Sequence, residues 1–352
     1  MSSLTATYLD SLVFSTSDLG MIQAIGVNRG RQDLYRRQTP ETLRTLQTHA
    51  IIESSESSNR LEGIIAPRKR IEGLVRRDVK PRNRSEQEIA GYRDALRLIH
   101  ESAPDMPLSP NLILQLHGRM YGHLSQPGGA WKQADNEIVE TDQKTGERIV
   151  RFKPLAAVAV PHFMDDLCRA FRVELAEPGG EPMVLIPLAI LDFLCIHPFT
   201  DGNGRVSRLL TLLLLYQCGY DVGRYVSLER VFEDARDGYY ETLQEASRGW
   251  HGGKHNAMPW VRYFWGIMLK AYQEFADRVG ALGTHKGAKS EFVRQAALAR
   301  LGAFTTAGLA DDCPGVSRET IKRELQVMKS EGLVRSEGRG RGARWFRVNG
   351  SI

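Results

Sequence analysis

Cysteine is scarce: four occur in 352 residues, none in a C-x-x-C pair, so the sequence offers neither a disulfide framework nor a thiolate metal site. Cys168, Cys195 and Cys218 lie in apolar stretches and read as buried free thiols. Long hydrophobic runs are also missing. The most apolar segments, 184–196 and 209–216, are too short to cross a bilayer, so no membrane partner is expected. The opening residues, MSSLTATYLDSLVF, lack the basic start of a signal peptide, and the expected address is the reducing cytoplasm. No internal repeat is visible. The excess of one charge sign is small too, with a net of +5, but it is uneven. Residues 289–352 carry twelve Lys and Arg against seven Asp and Glu, which accounts for all of it. The length and a hydrophobic content of 42% suit two or three soluble globular units.

What is present is mostly helical periodicity. Residues 1–39 are mixed, and Gly20, Gly26 and Gly30 are expected to break any long helix there. A helix is expected from Pro40, capped by Thr39, to Arg60, with a stop near Gly63. The basic stretch RKRIEGLVRRDVKPRNR reads as a solvated helix and loop. Further helices are expected at 85–101, 109–124, 158–174, 186–196, 203–216, 238–247 and 259–282. Between 131 and 154 the period changes: NEIVET and ERIVRF alternate around DQKTG, which predicts a β-hairpin. The glycine-rich 280–289 reads as a linker.

Beyond the linker, helices are expected at 291–301, 305–310 and 317–331, the last capped by Ser317, followed by strand, glycine-rich turn and strand. That order is the winged helix-turn-helix arrangement. Arg318, Lys322 and Arg323 would fall on its recognition helix, and Arg339, Arg341 and Arg344 on its wing. The distribution suits contact with DNA phosphates, although Glu319 and Glu324 interrupt it and such modules also bind proteins. The expected fold class is therefore mainly α, with a β-hairpin and a small C-terminal winged-helix domain. The expected boundaries are 1–84, 85–280, a linker at 281–289, and 290–352.

The densest chemistry lies in residues 197–208, HPFTDGNGRVSR. Glycines let backbone N–H groups approach an anion, and the following helix aims its positive end at the same place. One acid can hold magnesium together with phosphate oxygens, arginines neutralise phosphate charge, and a histidine accepts protons at neutral pH.

The stretch matches the signature HPF-x-D/E-GNGRxxR of the Fic (Fic/DOC) family at every fixed position, and the resemblance extends across residues 40–280. It implies a helical core that carries the motif on a helix-loop-helix, with the hairpin as a flap above it. By this resemblance His197 is the general base for a target hydroxyl, and Asp201 holds Mg2+ between the α- and β-phosphates of ATP. Gly202, Asn203 and Gly204 form the anion-binding turn, which Val206 and Ser207 continue. Arg205 contacts the same phosphates and Arg208 the γ-phosphate. AMP would pass to a Tyr, Thr or Ser hydroxyl of a target protein with release of pyrophosphate, making the chain a protein adenylyltransferase. Both glycines are intact, whereas members that act as kinases depart from Gly-Asn-Gly.

Tyr239 and Tyr240 stand where the family commonly has an adenine-contacting pair, and they also suit an apolar core. Ile149, Val150, Arg151 and Phe152 of the flap would dock a target segment by strand addition. Lys132 departs from the arginine that relatives often carry before the flap. Upstream, Ser58-Asn-Arg-Leu-Glu62-Gly63 resembles the family's inhibitory motif S/T-x-x-x-E-G/N, which implies that Glu62 pairs with Arg208 and autoinhibits, with Ser58 on the same helix face. Removal of AMP, transfer of another phosphate-containing group, and a DNA-binding regulator with a nucleotide-sensing Fic domain remain as alternatives. A homodimer is expected by analogy alone.

Overall fold

Helices dominate the chain because its apolar residues recur at helical spacing with polar caps between. The computed structural model describes residues 2–38, 40–141, 148–282, 288–300, 303–313, 316–338 and 343–348. In order, the first elements are α1 (Ala6–Asp10), α2 (Thr16–Gln38), α3 (Pro40–Leu61), α4 (Arg68–Arg76), α5 (Arg84–Ser102) and α6 (Pro110–Met120). A two-stranded antiparallel sheet follows, β1 (Ile138–Thr141) and β2 (Arg148–Phe152), with Val139 opposite Val150. Then come α7 (Val160–Ala176), α8 (Pro182–Ile196), α9 (Asn203–Gln217), α10 (Leu228–Asp234), α11 (Arg236–Ser247) and α12 (Met258–Leu282).

The centre is α8, whose side chains are buried on every face and which packs against α7, α9 and α12. A helix apolar all round belongs in a core. Pro187 interrupts its ladder and frees the Met183 carbonyl, which accepts instead from Trp265 Nε1 at 2.7 Å. Near its C-terminal end the buried Asp192 accepts from Ser2 Oγ, Ser3 N, Ser3 Oγ and Trp250 Nε1. Four donors fill both carboxylate oxygens, which compensates a buried acid for the water it has lost.

Helix α3 packs on α5 and α10 and ends at Leu61, with Gly63 in the left-handed region (φ 76°), as the spacing predicts. Thr39, its expected cap, lies outside the described residues. Leu43, Leu46, Ala50 and Ile52 bury the first half of α3, and a polar run follows in which Ser54, Ser55, Ser57, Ser58 and Asn59 are all buried. Ser54 Oγ donates to Glu229 Oε2 at 2.7 Å, and Tyr92 Oη donates to Glu229 Oε1 at 2.8 Å.

The expectation for residues 1–39 is wrong. Helix α2 runs 23 residues through Gly20, Gly26 and Gly30. All three glycines face solvent, and a methyl group added at any of them would meet nothing within 4 Å. The opposite face is anchored: Ile25 is buried, Asp18 pairs with Arg262 of α12 at 2.8 and 2.9 Å, and Gln32 Nε2 donates to the Gly219 carbonyl. Ser15 and Asp18 also cap each other's N–H groups at the helix start. Tertiary packing outweighs the glycine penalty.

Helix α12 also continues through Gly280 to Leu282, so the expected linker is shortened; residues 283–287 lie outside the description. After them come α13 (Ala288–Ala299), β3 (Phe304–Thr305), α14 (Thr306–Asp312), α15 (Arg318–Ser330, capped by Ser317), β4 (Val334–Glu337) and β5 (Arg344–Arg347), with sheet order β3-β5-β4. Three helices and a strand pair fall where the sequence places them; the short β3 is an addition. Of the two acids expected to interrupt the face of α15, Glu324 turns inward to Arg294 at 2.6 Å, leaving Arg318, Lys322 and Arg323 exposed with Glu319. Arg344 is exposed on β5, and Arg339 and Arg341 lie outside the described residues. No described helix is long and apolar enough to cross a membrane.

Candidate active site

The end of α8 and the start of α9 bring residues 197–208 into one turn. His197 terminates α8 in the left-handed region (φ 52°), and its N–H donates to the Phe193 carbonyl. Its Nδ1 lies 3.3 Å from the Leu194 carbonyl, an acceptor only, so Nδ1 carries the proton and Nε2 is left as a lone pair. Burial pushes its pKa down to about 4, aided by the nearby Lys132 ammonium, so the imidazole is neutral at pH 7.

Asn203 closes the loop with its side chain: Oδ1 accepts from Phe199 N at 2.9 Å, and Nδ2 donates to Phe199 O at 2.7 Å. Gly202 caps α9 at φ 83°, a conformation that favours glycine. The first N–H groups of α9 have no partner inside the helix, so the positive end of α9 favours an anion.

Glu62 sits against that end. A methyl group at Gly204 would lie 2.2 Å from Glu62 Oε1, so the carboxylate rests on the first turn of α9. The same Oε1 accepts from Arg208 NH2 at 2.8 Å. Ser58, one turn earlier on α3, supplies Oγ to Arg208 Nε and its carbonyl to NH2, both at 2.8 Å. Burial opposes the Arg208 charge, but the Glu62 carboxylate more than offsets it and raises its pKa above the ordinary value.

Asp201 accepts from Gly202 N at 2.7 Å and from Tyr121 Oη at 2.8 Å, and its side chain is 63% exposed. Burial of the group acts to raise its pKa, and the Tyr121 hydrogen bond and the Arg205 guanidinium outweigh that, so it is ionised. Arg205 is 1% exposed and spends NH1 on Glu88 Oε2 at 2.6 Å. Val206 is core, and Ser207 Oγ donates to the Gly204 carbonyl. Lys132 donates its backbone N–H to Pro198 O, and its buried ammonium reaches Asn136 Oδ1.

The other sequence-predicted residues sit around this turn. Tyr239 is buried among Phe232, Trp260 and Tyr263, while Tyr240 is 43% exposed with its hydroxyl 3.4 Å from Leu61 O at the end of α3. On the flap, Ile149 and Val150 are exposed; Phe152 stacks on His251 at 5.4 Å, and Arg151 lies on the same strand. Three residues around Asp201 and Arg205 were not foreseen: Glu88 on α5, which binds Arg205, and His117 and Tyr121 at the end of α6, which bind Asp201. Nothing in their local sequence marks them, since only the packing of α5 and α6 on α9 brings them in.

Residues 107–215 match the Fic/DOC family. This chain carries a Fic/DOC domain. The match begins near α6 and ends within α9, so it spans the flap, the central helix and the whole of the 197–208 turn. The chain is 27% identical over 249 residues to "Protein adenylyltransferase fic-1" of Caenorhabditis briggsae, covering 70% of this chain and 40% of that one. It is 29% identical over 178 residues to "Protein adenylyltransferase Fic" of Drosophila willistoni, covering 50% and 31%. The chain thus spans less than half the length of these relatives. Among solved structures, a Fic family protein from Desulfovibrio desulfuricans shares the fold with a TM-score of 0.60 at 18% identity, over 97% of this chain and 98% of that one. Fic-1 of Caenorhabditis elegans gives 0.60 at 22%, over 80% and 76%.

The Fic/DOC turn suits magnesium only jointly with a nucleotide. Asp201 offers one exposed carboxylate, and among the described residues no group of three or more His, Cys, Asp or Glu could hold a metal ion. One carboxylate plus phosphate oxygens and water is what Mg2+ accepts.

Proposed function

We propose that this chain transfers AMP from ATP to a hydroxyl side chain of a protein, and that Glu62 holds the site idle until it is displaced. The observation that carries the reading is the Glu62 carboxylate seated at the N-terminus of α9 and bound to Arg208. An acidic group already stands where a nucleotide phosphate would be bound. The relatives named protein adenylyltransferase support the reaction type.

In this reading the target oxygen attacks the α-phosphorus, the bond to the bridging oxygen breaks, and pyrophosphate leaves with that electron pair. His197 Nε2 takes the hydroxyl proton, a role that needs the neutral imidazole described above. Asn203 fixes the loop, so the first N–H groups of α9 are already oriented toward the phosphates and little reorganisation accompanies the reaction. Asp201 would hold Mg2+, which when bound neutralises phosphate charge. Arg208, once released by Glu62, would bind the terminal phosphate. The exposed edge residues of β2, from Ile149, would present the target segment.

With purified full-length chain and ATP labelled at the α-phosphate, Glu62→Gly should raise self-labelling by roughly 10- to 100-fold, the ratio equivalent to one charge-assisted hydrogen bond. His197→Ala in that background should remove about 100-fold or more, as expected for loss of a general base. Label at the γ-phosphate should not transfer. Equal labelling of wild type and Glu62→Gly would sink the inhibitory role, and transfer of γ-label would sink AMP transfer.

A further inference from the structure

Asp201 is held in a way that the 197–208 turn does not explain. Arg205 NH2 lies 3.6 Å from Asp201 Oδ2. A guanidinium that close to a carboxylate ordinarily closes onto it in a forked pair and occupies the oxygens a cation would need. Two contacts prevent this. Glu88 Oε2 accepts from Arg205 NH1 at 2.6 Å, drawing the guanidinium toward α5. Tyr121 Oη bridges the two charges from the side, 3.3 Å from Arg205 NH2, from which it accepts, and 2.8 Å from Asp201 Oδ2, to which it donates, so each spends a hydrogen bond on the hydroxyl and not on the other. One hydroxyl can do both because it carries one proton and two lone pairs.

Arg205 and Glu88 are buried, whereas Asp201 remains open to solvent. The backbone beneath Asp201 is fixed separately. Gly129 N donates to His117 Nδ1 at 2.8 Å, so Nε2 carries the proton and donates to the Asp201 carbonyl at 3.2 Å. His117 in turn stacks on Phe199 with ring centres 3.8 Å apart. Loss of the Tyr121 hydroxyl would therefore release the Asp201 side chain rather than the loop.

We propose that Tyr121 is a positioning residue for the metal-bearing carboxylate: its hydroxyl, backed by Glu88, keeps Arg205 off Asp201 and leaves that carboxylate open to a divalent cation bound to nucleotide phosphates. The proposal rests on the nucleotide-transfer reading above and adds two residues outside the 197–208 turn to its metal chemistry. Groups that orient a ligand in this way change metal affinity by about 10- to 100-fold when removed.

The test uses the full chain carrying Glu62→Gly, so that the nucleotide space is clear, with and without Tyr121→Phe. Phenylalanine keeps the ring that packs on His117, 4.6 Å between centres, and deletes only the hydroxyl. Mn2+ is titrated in the presence of a non-hydrolysable ATP analogue, and free Mn2+ is read by its electron paramagnetic resonance signal. The Mn2+ dissociation constant should rise about tenfold in the Tyr121→Phe chain, while analogue binding in EDTA stays unchanged. Glu88→Gln should move Mn2+ affinity the same way. Unchanged Mn2+ affinity in Tyr121→Phe overturns the proposal, as does a matching loss of analogue binding in EDTA, which would mean general damage. If the Glu62→Gly parent takes up no Mn2+ with the analogue, the metal-assisted reading falls and this proposal with it.

Discussion

Arg208 joins the two functions assigned to the site, because the cation that a phosphate would bind is now held by α3. A side chain this deeply buried needs every donor satisfied. Ser58 satisfies Nε through its hydroxyl and part of NH2 through its carbonyl, and Glu62 supplies the opposing charge. Of these partners only Glu62 is partly exposed, at 34% of its side chain, so it is the one that an arriving anion can displace. In the proposed reading Ser58 stays with the arginine when Glu62 leaves, as a structural partner. Ser58→Ala leaves Nε of a buried cation unpaired and should cost about 1.5–3 kcal/mol, the range for a hydrogen bond to a charged group. Urea unfolding would read this as a lower midpoint with an unchanged slope. An unchanged midpoint would mean that water or another group replaces the hydroxyl. The Glu62–Arg208 contact was legible in the sequence, since both ends sit in short motifs. The Glu88 and Tyr121 contacts to Arg205 were not, because their partners lie 117 and 84 residues away and neither belongs to a motif.

Elements whose signal is local were legible, and those held by distant contacts were not. Helix α8 is apolar throughout, α9 opens at a glycine turn, and the β1–β2 hairpin alternates, so sequence and structure agree on each. Helix α2 has three glycines and little periodicity, and its order comes from Asp18, Ile25 and Gln32 meeting residues more than 180 positions away or buried in the core. Glycine in a helix interior costs about 0.5–1 kcal/mol relative to alanine. Because Gly26 faces open space, Gly26→Ala should stabilise the chain by about that amount. Chemical denaturation with far-ultraviolet circular dichroism would show it as a raised midpoint. A lowered midpoint would contradict a helix through residue 26. The same locality argument applies at the C-terminus, where Glu324 interrupts the basic face in sequence but not in space.

At the scale of the molecule, the core is built around histidines that must stay neutral. Burial lowers the pKa of His100 to about 3, with Arg224 and Arg97 adding to the effect, and those of His117, His197 and His255 to about 4. The unfolded chain protonates the same groups near 6.5. Between about pH 6.5 and 4 the unfolded state therefore binds more protons, so stability falls as pH falls, by about 1.4 kcal/mol per pH unit for each histidine. Paired carboxylates act in the same direction lower down: Arg70 holds Glu86 at about 2, and Arg262 holds Asp18 well below the usual range. Asp192 opposes them, since burial raises its pKa and protonation then favours the folded state. One opposing acid does not offset four histidines. The melting temperature should climb steeply from pH 4 to 6.5 and level off above it, and His100→Phe, which removes the most depressed group, should flatten the climb. A melting temperature independent of pH across that window would refute the buried neutral histidines. The same window separates fold from chemistry at His197. In the Glu62→Gly chain, labelling divided by folded fraction should hold steady down to about pH 4, because the base is not protonated before then. A normalised rate already falling near pH 6.5 would mean that His197 is open to solvent once Glu62 is gone.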